Sequence, residues 1–216
     1  MKLVRKKEIG LPTRRALVLV SALVAVLAYR AAVCLYPFLA QNDPQPNTEM
    51  IIIEGWLDDA DLEVAAKAVL PGQTIVTTGG PVTFGQKLLQ YDNYAETAAA
   101  RLIAAGIPSG IIVTAPAPDT LRDRTYVSAQ AARRKLEELG LFGRPANLYT
   151  VGAHSRRSYL LFRHVFGRDY PLGVISIDPP ACRLERWYLH SEGFKHVITE
   201  LISWVYAVFF LMIRHV

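Results

Sequence analysis

Short apolar runs alternate with longer stretches of helical periodicity over most of this chain. The runs predict buried strands at Met50–Glu54, Gln73–Thr78, Ile111–Thr114, Leu148–Val151 and Leu172–Ile177. The stretches between them predict helices at Asp58–Leu70, Asp92–Ala105, Arg124–Leu139 and Ser155–Phe166. Because strands that alternate with helices connect through right-handed crossovers, the pattern predicts an α/β fold: a parallel sheet with helices on both faces.

The N-terminal segment has a different pattern. A basic head is followed by Ala16–Ala40, which is apolar except for Ser21 and Arg30. A helix needs about 20 apolar residues to span a bilayer, and this run is long enough if Arg30 extends its guanidinium to the interface. Basic residues before the run predict that this end stays in the cytoplasm. The sequence thus predicts a single-pass inner-membrane protein with an extracytoplasmic body, in contact with the lipid bilayer through residues 16–40.

A cleaved signal peptide is the alternative interpretation of this segment. The basic head and apolar run suit it, but no Ala-x-Ala cleavage site stands out, and the run is longer than a signal core. We therefore expect four parts, which are a basic cytoplasmic head (1–15), a transmembrane anchor (16–40), a polar linker (41–48) and an α/β domain (49–216). Within that domain, Ile198–Ile213 is apolar but interrupted by Glu200. It predicts either a helix docked on the core or one lying against the membrane.

Charge and cysteine content exclude several classes of protein. The formal charge is +5, but residues 1–30 hold seven basic residues against one acidic residue, so the remainder has 17 basic and 18 acidic residues. The body is not basic, and we predict no nucleic-acid binding. Cys34 lies in the anchor and Cys182 in the body, which makes an intrachain disulfide implausible. Neither cysteine has CxxC spacing and the histidines form no HExxH pattern, so we predict no metal site.

Polar residues follow four of the predicted strands. The carboxyl ends of parallel strands meet at one edge of the sheet, where ligands of such folds bind. Gly55 follows the first strand, Gly79 and Gly80 the second, residues 116–125 the third, and residues 154–157 the fourth. Histidine and arginine at such a turn suit an anionic group. GxGxxG, P-loop and G-x-S-x-G motifs are absent from the sequence, which argues against standard nucleotide sites and a hydrolase elbow.

Several blocks, taken in order, resemble the YdcF/SanA/ElyC-like family of bacterial envelope proteins over about residues 49–210. They are IIIEGW (51–56), TTGG (77–80), YAETAAARLIAAGIP (94–108), DRTYVSA (123–129), VGAHSRRS (151–158) and WYLHSEG (187–193). The resemblance implies a three-layer Rossmann-like domain, often behind a membrane segment. It also implies a role in envelope integrity, in peptidoglycan or surface-polysaccharide metabolism, or in drug exclusion. S-adenosylmethionine, which one family member binds, is the only cofactor that the resemblance suggests.

Residue by residue, the resemblance matches Gly79 and Gly80 to the family's paired glycines, and Glu96 to its helix glutamate. It also matches Thr125 to a block threonine, and His154 and Arg157 to an H-x-x-R pair. The chain departs from the family at Asp123–Tyr126, where many members have Asn-Thr-x-Glu-Asn, and at Glu54–Trp56, where many have a Leu-Gly-Gly-like turn. The ligand therefore need not be S-adenosylmethionine.

Two classes of function follow. One is an enzyme acting on a phosphorylated, nucleotide-like or lipid-linked anionic envelope precursor, and the other is a non-catalytic, membrane-tethered binding or scaffold protein that uses the same cleft. The predicted acid–base residues are Glu96 and His154. The predicted ligand-binding residues are Gly55, Gly79, Gly80, Arg122, Arg124, Thr125 and Arg157. A structural alternative for Arg157 is an ion pair with Glu96 that merely joins helix ends.

Overall fold

The structure is a computed structural model, and it describes residues 12–82, 91–178 and 184–214. The described strands are β1 (Met50–Glu54), β2 (Thr74–Gly79), β3 (Ile112–Pro116), β4 (Ala146–Val151) and β5 (Leu172–Ile177). The α-helices are α1 (Arg14–Leu39), α2 (Asp59–Lys67), α3 (Tyr94–Ala104), α4 (Arg124–Glu138), α5 (Ser155–Phe166) and α6 (Ser191–Arg214). Short 3₁₀ turns cover Ser109–Ile111, Gly152–His154 and Leu184–Leu189.

The five strands form one parallel sheet in the order β3-β2-β1-β4-β5. The predicted α/β fold is confirmed, and every predicted strand is present within one or two residues of its expected bounds. Helix ends follow local signals. Asn93 caps α3, because its side-chain oxygen accepts a hydrogen bond from the backbone N–H of Glu96 at 2.9 Å, so this helix begins at Tyr94 rather than at Asp92.

Alternate residues of the central strand pack into separate cores on the two faces of the sheet. Met50 and Ile52 face α4 and α5, where the core includes Leu136 and Phe162. Ile51 and Ile53 face α2 and α3, where the core includes Leu62, Ala98 and Leu102. All four β1 residues are almost fully buried, as expected of a strand covered on both faces. The domain therefore has the three layers of a Rossmann-like fold.

The α1 helix has a free part and a docked part. It is exposed along almost its whole length up to Ala31, and it is long and apolar enough to cross a membrane, a property that it shares with signal sequences. Its last turns pack on the domain, where Tyr36 and Leu39 are buried beside Trp187 and Val197. The Tyr36 hydroxyl donates a hydrogen bond to Asp178 at 2.6 Å, which joins the helix end to the carboxyl end of β5.

The segment 41–48 connects α1 to β1 and is held against the edge of the sheet. Asp43 forms an antiparallel bridge with Val174 of β5. The Asn147 side chain accepts a hydrogen bond from the Gln45 backbone N–H at 2.8 Å and donates one to the Gln45 carbonyl oxygen at 3.0 Å. The polar residues that predicted a linker therefore make specific contacts that fix the helix end relative to the sheet.

The C-terminal helix α6 docks on α5. Ala207 and Leu211 of α6 pack against Leu161 of α5, and Trp204 meets Phe38 of α1 edge to face, with ring centroids 5.1 Å apart. The docked-helix interpretation of the apolar C-terminal segment thus describes one face of α6. Its other face is exposed.

Candidate functional site

A cleft of about 970 Å³ lies at the carboxyl edge of the sheet. The strand order reverses between β1 and β4, and this crevice is where open α/β sheets bind ligands. Residues at the ends of β1, β2 and β4 form part of the cleft, the start of α4 forms one side, and α6 forms another. Polar lining residues include Glu54, Thr125, Ser128, His154, Arg157, His196 and Glu200.

The floor of the cleft is a buried network of charged side chains, which we call the floor network: Glu54, His154, Arg157 and Glu200. The His154 Nδ1 lies 3.0 Å from Glu200 Oε1, and its Nε2 lies 3.6 Å from Glu54 Oε1. Arg157 donates hydrogen bonds to both Glu200 oxygens, from Nε at 2.9 Å and from Nη2 at 3.2 Å. The carboxyl groups of Glu54 and Glu200 therefore flank opposite nitrogens of one imidazole.

Five separate elements bring the floor network and its partner Thr125 together. Glu54 is the last residue of β1, and His154 ends the 3₁₀ turn that follows β4. Arg157 lies in the first turn of α5, so it shares a face with His154, and Glu200 comes from α6. Thr125 of α4 accepts a hydrogen bond from Arg157 Nη1 at 3.2 Å. The strand ends and the helices packed at this edge of the sheet thus bring together groups that lie up to 146 residues apart in sequence.

Charge balance sets the protonation state of the floor network. Burial opposes ionisation of Glu54, but the neighbouring His154 more than offsets this and lowers the Glu54 pKa below its ordinary value. Burial likewise opposes ionisation of Glu200, while its hydrogen bonds to His154 and Arg157 lower its pKa strongly. Burial disfavours a charged His154, yet the two carboxylates raise its pKa. At a pH between the lowered carboxyl pKa values and the raised His154 pKa, the network has two carboxylates, one imidazolium and one guanidinium, with no net charge.

In this protonation state, one close contact in the network joins two donors. The Arg157 Nη2 lies 2.8 Å from His154 Nδ1. With Nδ1 protonated, both nitrogens are donors, and both point to Glu200 Oε1 as their common acceptor. The opposite nitrogen, Nε2, is buried without a hydrogen-bond partner within the described structure. Its nearest charged neighbour is Glu54, whose own oxygens accept from the Ser158 hydroxyl at 3.0 and 3.1 Å.

Two further side chains of the cleft wall lie near the floor network. Trp56 meets the His154 ring edge to face, with centroids 4.7 Å apart, and is 37% exposed, so its ring faces both the network and the open cleft. His196 lies one turn before Glu200 on α6. Burial lowers its pKa, an effect that Glu200 opposes and His154 reinforces. At a pH between the lowered pKa of His196 and the raised pKa of His154, the cleft therefore holds one charged and one neutral histidine.

The start of α4 lines the cleft and has no side-chain cap. Its N-cap residue, Asp123, adopts a left-handed conformation (φ 55°, ψ 37°), and its side chain makes no capping hydrogen bond. The first turn contains no acidic residue, and Arg124, Thr125 and Ser128 line the cleft. The start of α2 differs, because Asp58 caps it and Asp59 and Asp61 occupy its first turn. Of these two helix ends, α4 is the one suited to an anion.

The structure brings six of the nine residues predicted for the site to the cleft: Gly79, Gly80, Arg124, Thr125, His154 and Arg157. Gly55, Glu96 and Arg122 are not among its described lining residues. Glu96 lies in the first turn of α3, half-buried, and Arg122 is exposed in the loop before α4. The carboxylate partner of Arg157 is Glu200 rather than Glu96.

Two of the predicted ligand-binding glycines have a packing role. A Cβ atom on Gly55 would lie 2.4 Å from the Tyr94 carbonyl oxygen, and one on Gly79 would lie 2.7 Å from the Tyr94 Cβ. Both glycines thus let the first turn of α3 approach the strand ends. Gly80 differs, because a Cβ there would meet nothing closer than 3.7 Å. Glycine allows two backbone segments to approach each other closely, and at Gly55 and Gly79 the approaching segment is the first turn of α3.

Sequence reasoning missed Glu54, His196 and Glu200 as members of the site. Glu54 ends a run of four apolar residues, and Glu200 is the single charged residue between His196 and Ile213. A lone carboxylate within an apolar run is a signal, because burying an ionised group requires a partner. His196 carries no such signal, since only the docking of α6 places it in the cleft wall.

Among the described residues, no group of three or more His, Cys, Asp and Glu side chains is arranged to hold a metal ion. Comparison of the chain with family models, with curated proteins and with solved structures gives no match in any of the three.

Proposed function

We propose that this chain is a membrane-anchored protein of the cell envelope whose cleft binds a phosphorylated or nucleotide-like anion and carries out acid–base chemistry on it. The observation that carries the proposal is the floor network of Glu54, His154, Arg157 and Glu200 beneath an open cleft at the reversal of strand order. Buried ion pairs contribute little to net stability, so a four-membered network beneath a cleft favours a functional role.

The start of α4 is the proposed anion site. The first turn of this helix has no side-chain cap, and Arg124, Thr125 and Ser128 line the cleft. Arg157 is already paired with Glu200, so Arg124 rather than Arg157 supplies the mobile positive charge. The resemblance to the YdcF/SanA/ElyC-like family supports an envelope precursor as the source of this anion, but it does not identify the reaction.

The two histidines are the proposed acid–base residues. His196 is the neutral one and suits the role of proton acceptor, whereas charged His154 stabilises negative charge that develops above the floor. We propose His196, in place of Glu96, for the acid–base role, because His196 lines the cleft.

The binding test compares two arginines that lie two residues apart. We expect Arg124→Ala to weaken uridine diphosphate binding to the full-length protein in detergent about 10-fold or more, since a charge-assisted hydrogen bond contributes about 1.5–3 kcal/mol. Arg122→Ala is the matched control, because Arg122 is exposed but is not among the described cleft residues. Calorimetric titration measures both. Equal effects of the two substitutions would argue against the anion site.

Turnover separates the enzyme from the alternative function. Lipid-linked and nucleotide-linked phosphate esters are incubated with the protein and with His196→Gln, and released phosphate or diphosphate is measured. Turnover that the substitution abolishes supports the enzyme. If esters bind but none is turned over, the result supports the tethered binding or scaffold protein. That alternative is favoured because Arg157 is already paired with Glu200 and Thr125.

The proposed topology is a single span by α1 with the body outside the inner membrane. It rests on the basic residues that precede the apolar run, which hold that end in the cytoplasm. A reporter that is active only in the periplasm, fused after Val216, should be active. Strong activity of a cytoplasmic reporter at the same position would contradict the topology.

A further inference from the structure

One face of α6 is apolar, continuous and exposed. We call it the α6 stripe: Ile202, Val205, Tyr206, Phe209, Met212 and Ile213, whose exposed fractions run from 39% to 75%. Their spacing of three and four residues places them on one side of the helix. The opposite side holds Glu200, Ala207 and Leu211 against the domain. No charged residue lies on the α6 stripe.

An uncovered stripe of this kind is unfavourable in water. The exposed apolar residues of the body on α2, α3 and α4, such as Val64, Ile103 and Leu139, are single positions, which is usual for a protein surface. Six large side chains in a row are unusual, and contiguous exposed apolar surface marks a contact with another molecule or with a membrane.

The position of α1 identifies the bilayer as what covers the stripe. The α1 end and α6 are in direct contact, since the Phe38 and Trp204 rings lie 5.1 Å apart and Leu39 packs in the same cluster as Val197. Ile202 and Val205, at the start of the α6 stripe, flank Trp204 in sequence and therefore lie near the end of α1.

The length of α1 leaves no spacer between bilayer and domain. A span of about 20 residues that begins at Ala16 reaches about Leu35. The domain already holds α1 at Ala32, whose carbonyl oxygen accepts a hydrogen bond from the Trp187 indole at 2.9 Å. The last turns of the span are thus also the first turns docked on the domain, so the domain must lie directly on the bilayer surface.

We infer that the α6 stripe lies in the membrane interface, and that the cleft walled by α6 opens toward the lipid and takes an anionic ligand carrying an acyl or prenyl chain. The second part rests on the proposed anion-binding function. Ile202 and Tyr206 belong both to the α6 stripe and to the cleft lining. If the ligand's headgroup is held at the start of α4, its acyl or prenyl chain would therefore extend along α6 into the bilayer.

Insertion is tested with an environment-sensitive fluorophore on a single cysteine in the full-length protein, in a Cys34→Ser, Cys182→Ser background. Phe209→Cys reports on the α6 stripe, and Ile103→Cys on α3 is the matched control with a similar exposure. In phosphatidylcholine vesicles we expect blue-shifted emission at position 209 that acyl-brominated phosphatidylcholine quenches, and water-like, unquenched emission at position 103.

Two results would overturn the membrane contact. Water-like emission at position 209 would show that the α6 stripe stays in solution. Blue-shifted emission without quenching by brominated lipid would show that protein, such as a second copy of the chain, covers it. This measurement needs no ligand, so it stands or falls independently of the anion site.

The ligand class is tested by comparing farnesyl phosphate with inorganic phosphate as competitors for uridine diphosphate on the full-length protein in vesicles. We expect farnesyl phosphate to compete at least 10-fold better, and Ile202→Gln to reduce that preference. Equal competition by the two probes would overturn the lipid-linked ligand. Competition by neither would instead contradict the proposed anion site, so the two failures are distinguishable.

Discussion

At the scale of single residues, the floor network is the feature that most needs explanation. Taking two carboxylates, an imidazolium and a guanidinium out of water costs several kcal/mol per ion before their mutual attraction is counted. Here each charge has an opposite neighbour: His154 lies between Glu54 and Glu200, and Arg157 makes two hydrogen bonds to Glu200. The four side chains have no net charge only when His154 is protonated, so the stability that the floor network contributes must depend on pH.

The floor network should be most stabilising between the ordinary pKa values of its members, which are 4.5 for glutamate and 6.5 for histidine. The pKa of His154 is raised by folding, so its contribution is present below pH 6.5 and is lost as pH rises through the folded value. Glu54 and Glu200 have lowered pKa values, so their contribution is present above 4.5 and is lost as pH falls. Above pH 6.5 we expect the free energy of unfolding to decline by at most about 1.4 kcal/mol per pH unit.

Histidine side-chain NMR measures the pKa values of His154 and His196 directly. The His154 resonance is identified by its absence from His154→Gln, and it should titrate above pH 6.5. The His196 resonance should titrate below that value, since burial lowers its pKa. A His154 titration at or below 6.5 would contradict the charged state assigned to the floor network.

At the scale of elements, the starts of the helices differ in how well they suit an anion. The acidic, capped start of α2 disfavours an anion, whereas the uncapped start of α4 favours one. The first turn of α3 lies close to the ends of β1 and β2, and this approach depends on glycine at both strand ends.

Alanine substitution should distinguish the packing glycine from the one next to open space. Gly55→Ala places a Cβ 2.4 Å from the Tyr94 carbonyl oxygen, which must displace α3, and we expect a loss of about 1–3 kcal/mol in the free energy of unfolding. Gly80→Ala is the matched control and should leave that free energy nearly unchanged. Denaturant unfolding in detergent measures both, and equal losses would refute the packing role.

At the scale of the whole molecule, α1 and the domain form one unit. The end of α1 lies within a core cluster shared with the C-terminal part of the chain, and segment 41–48 fixes it to the edge of the sheet. The domain is therefore oriented relative to the helix axis instead of hanging on a flexible tether. Cleavage of the chain beyond Leu39 would remove Tyr36 and Leu39 from this cluster.

Two leucines of α1 should respond differently to substitution. Leu39 is fully buried against the domain, so Leu39→Ala should lower the free energy of unfolding of the domain by about 2–5 kcal/mol. Leu27 is 58% exposed on the same helix, and Leu27→Ala should leave domain stability unchanged in detergent. Thermal unfolding of the full-length variants is the measurement. A neutral Leu39→Ala would show that the helix end is not part of the core.

The sequence by itself determined the layers of this protein. The five strands and their order along the chain follow from local patterns. A strand buried on both faces is a continuous apolar run, whereas a helix has a longer hydrophobic period. Strand ends also indicated His154, Arg157, Thr125 and Gly80, since parallel strands bring their carboxyl ends to one edge.

Only the tertiary structure decided which side chains meet across that edge. Glu200 lies 146 residues from Glu54, and nothing local in the sequence says that α6 turns back over the cleft to complete the floor network. The same docking brings His196 into the described lining, whereas Glu96, on α3, lies outside it. Periodicity reports which face of an element is buried, whereas the partner of a buried charge depends on how distant elements pack.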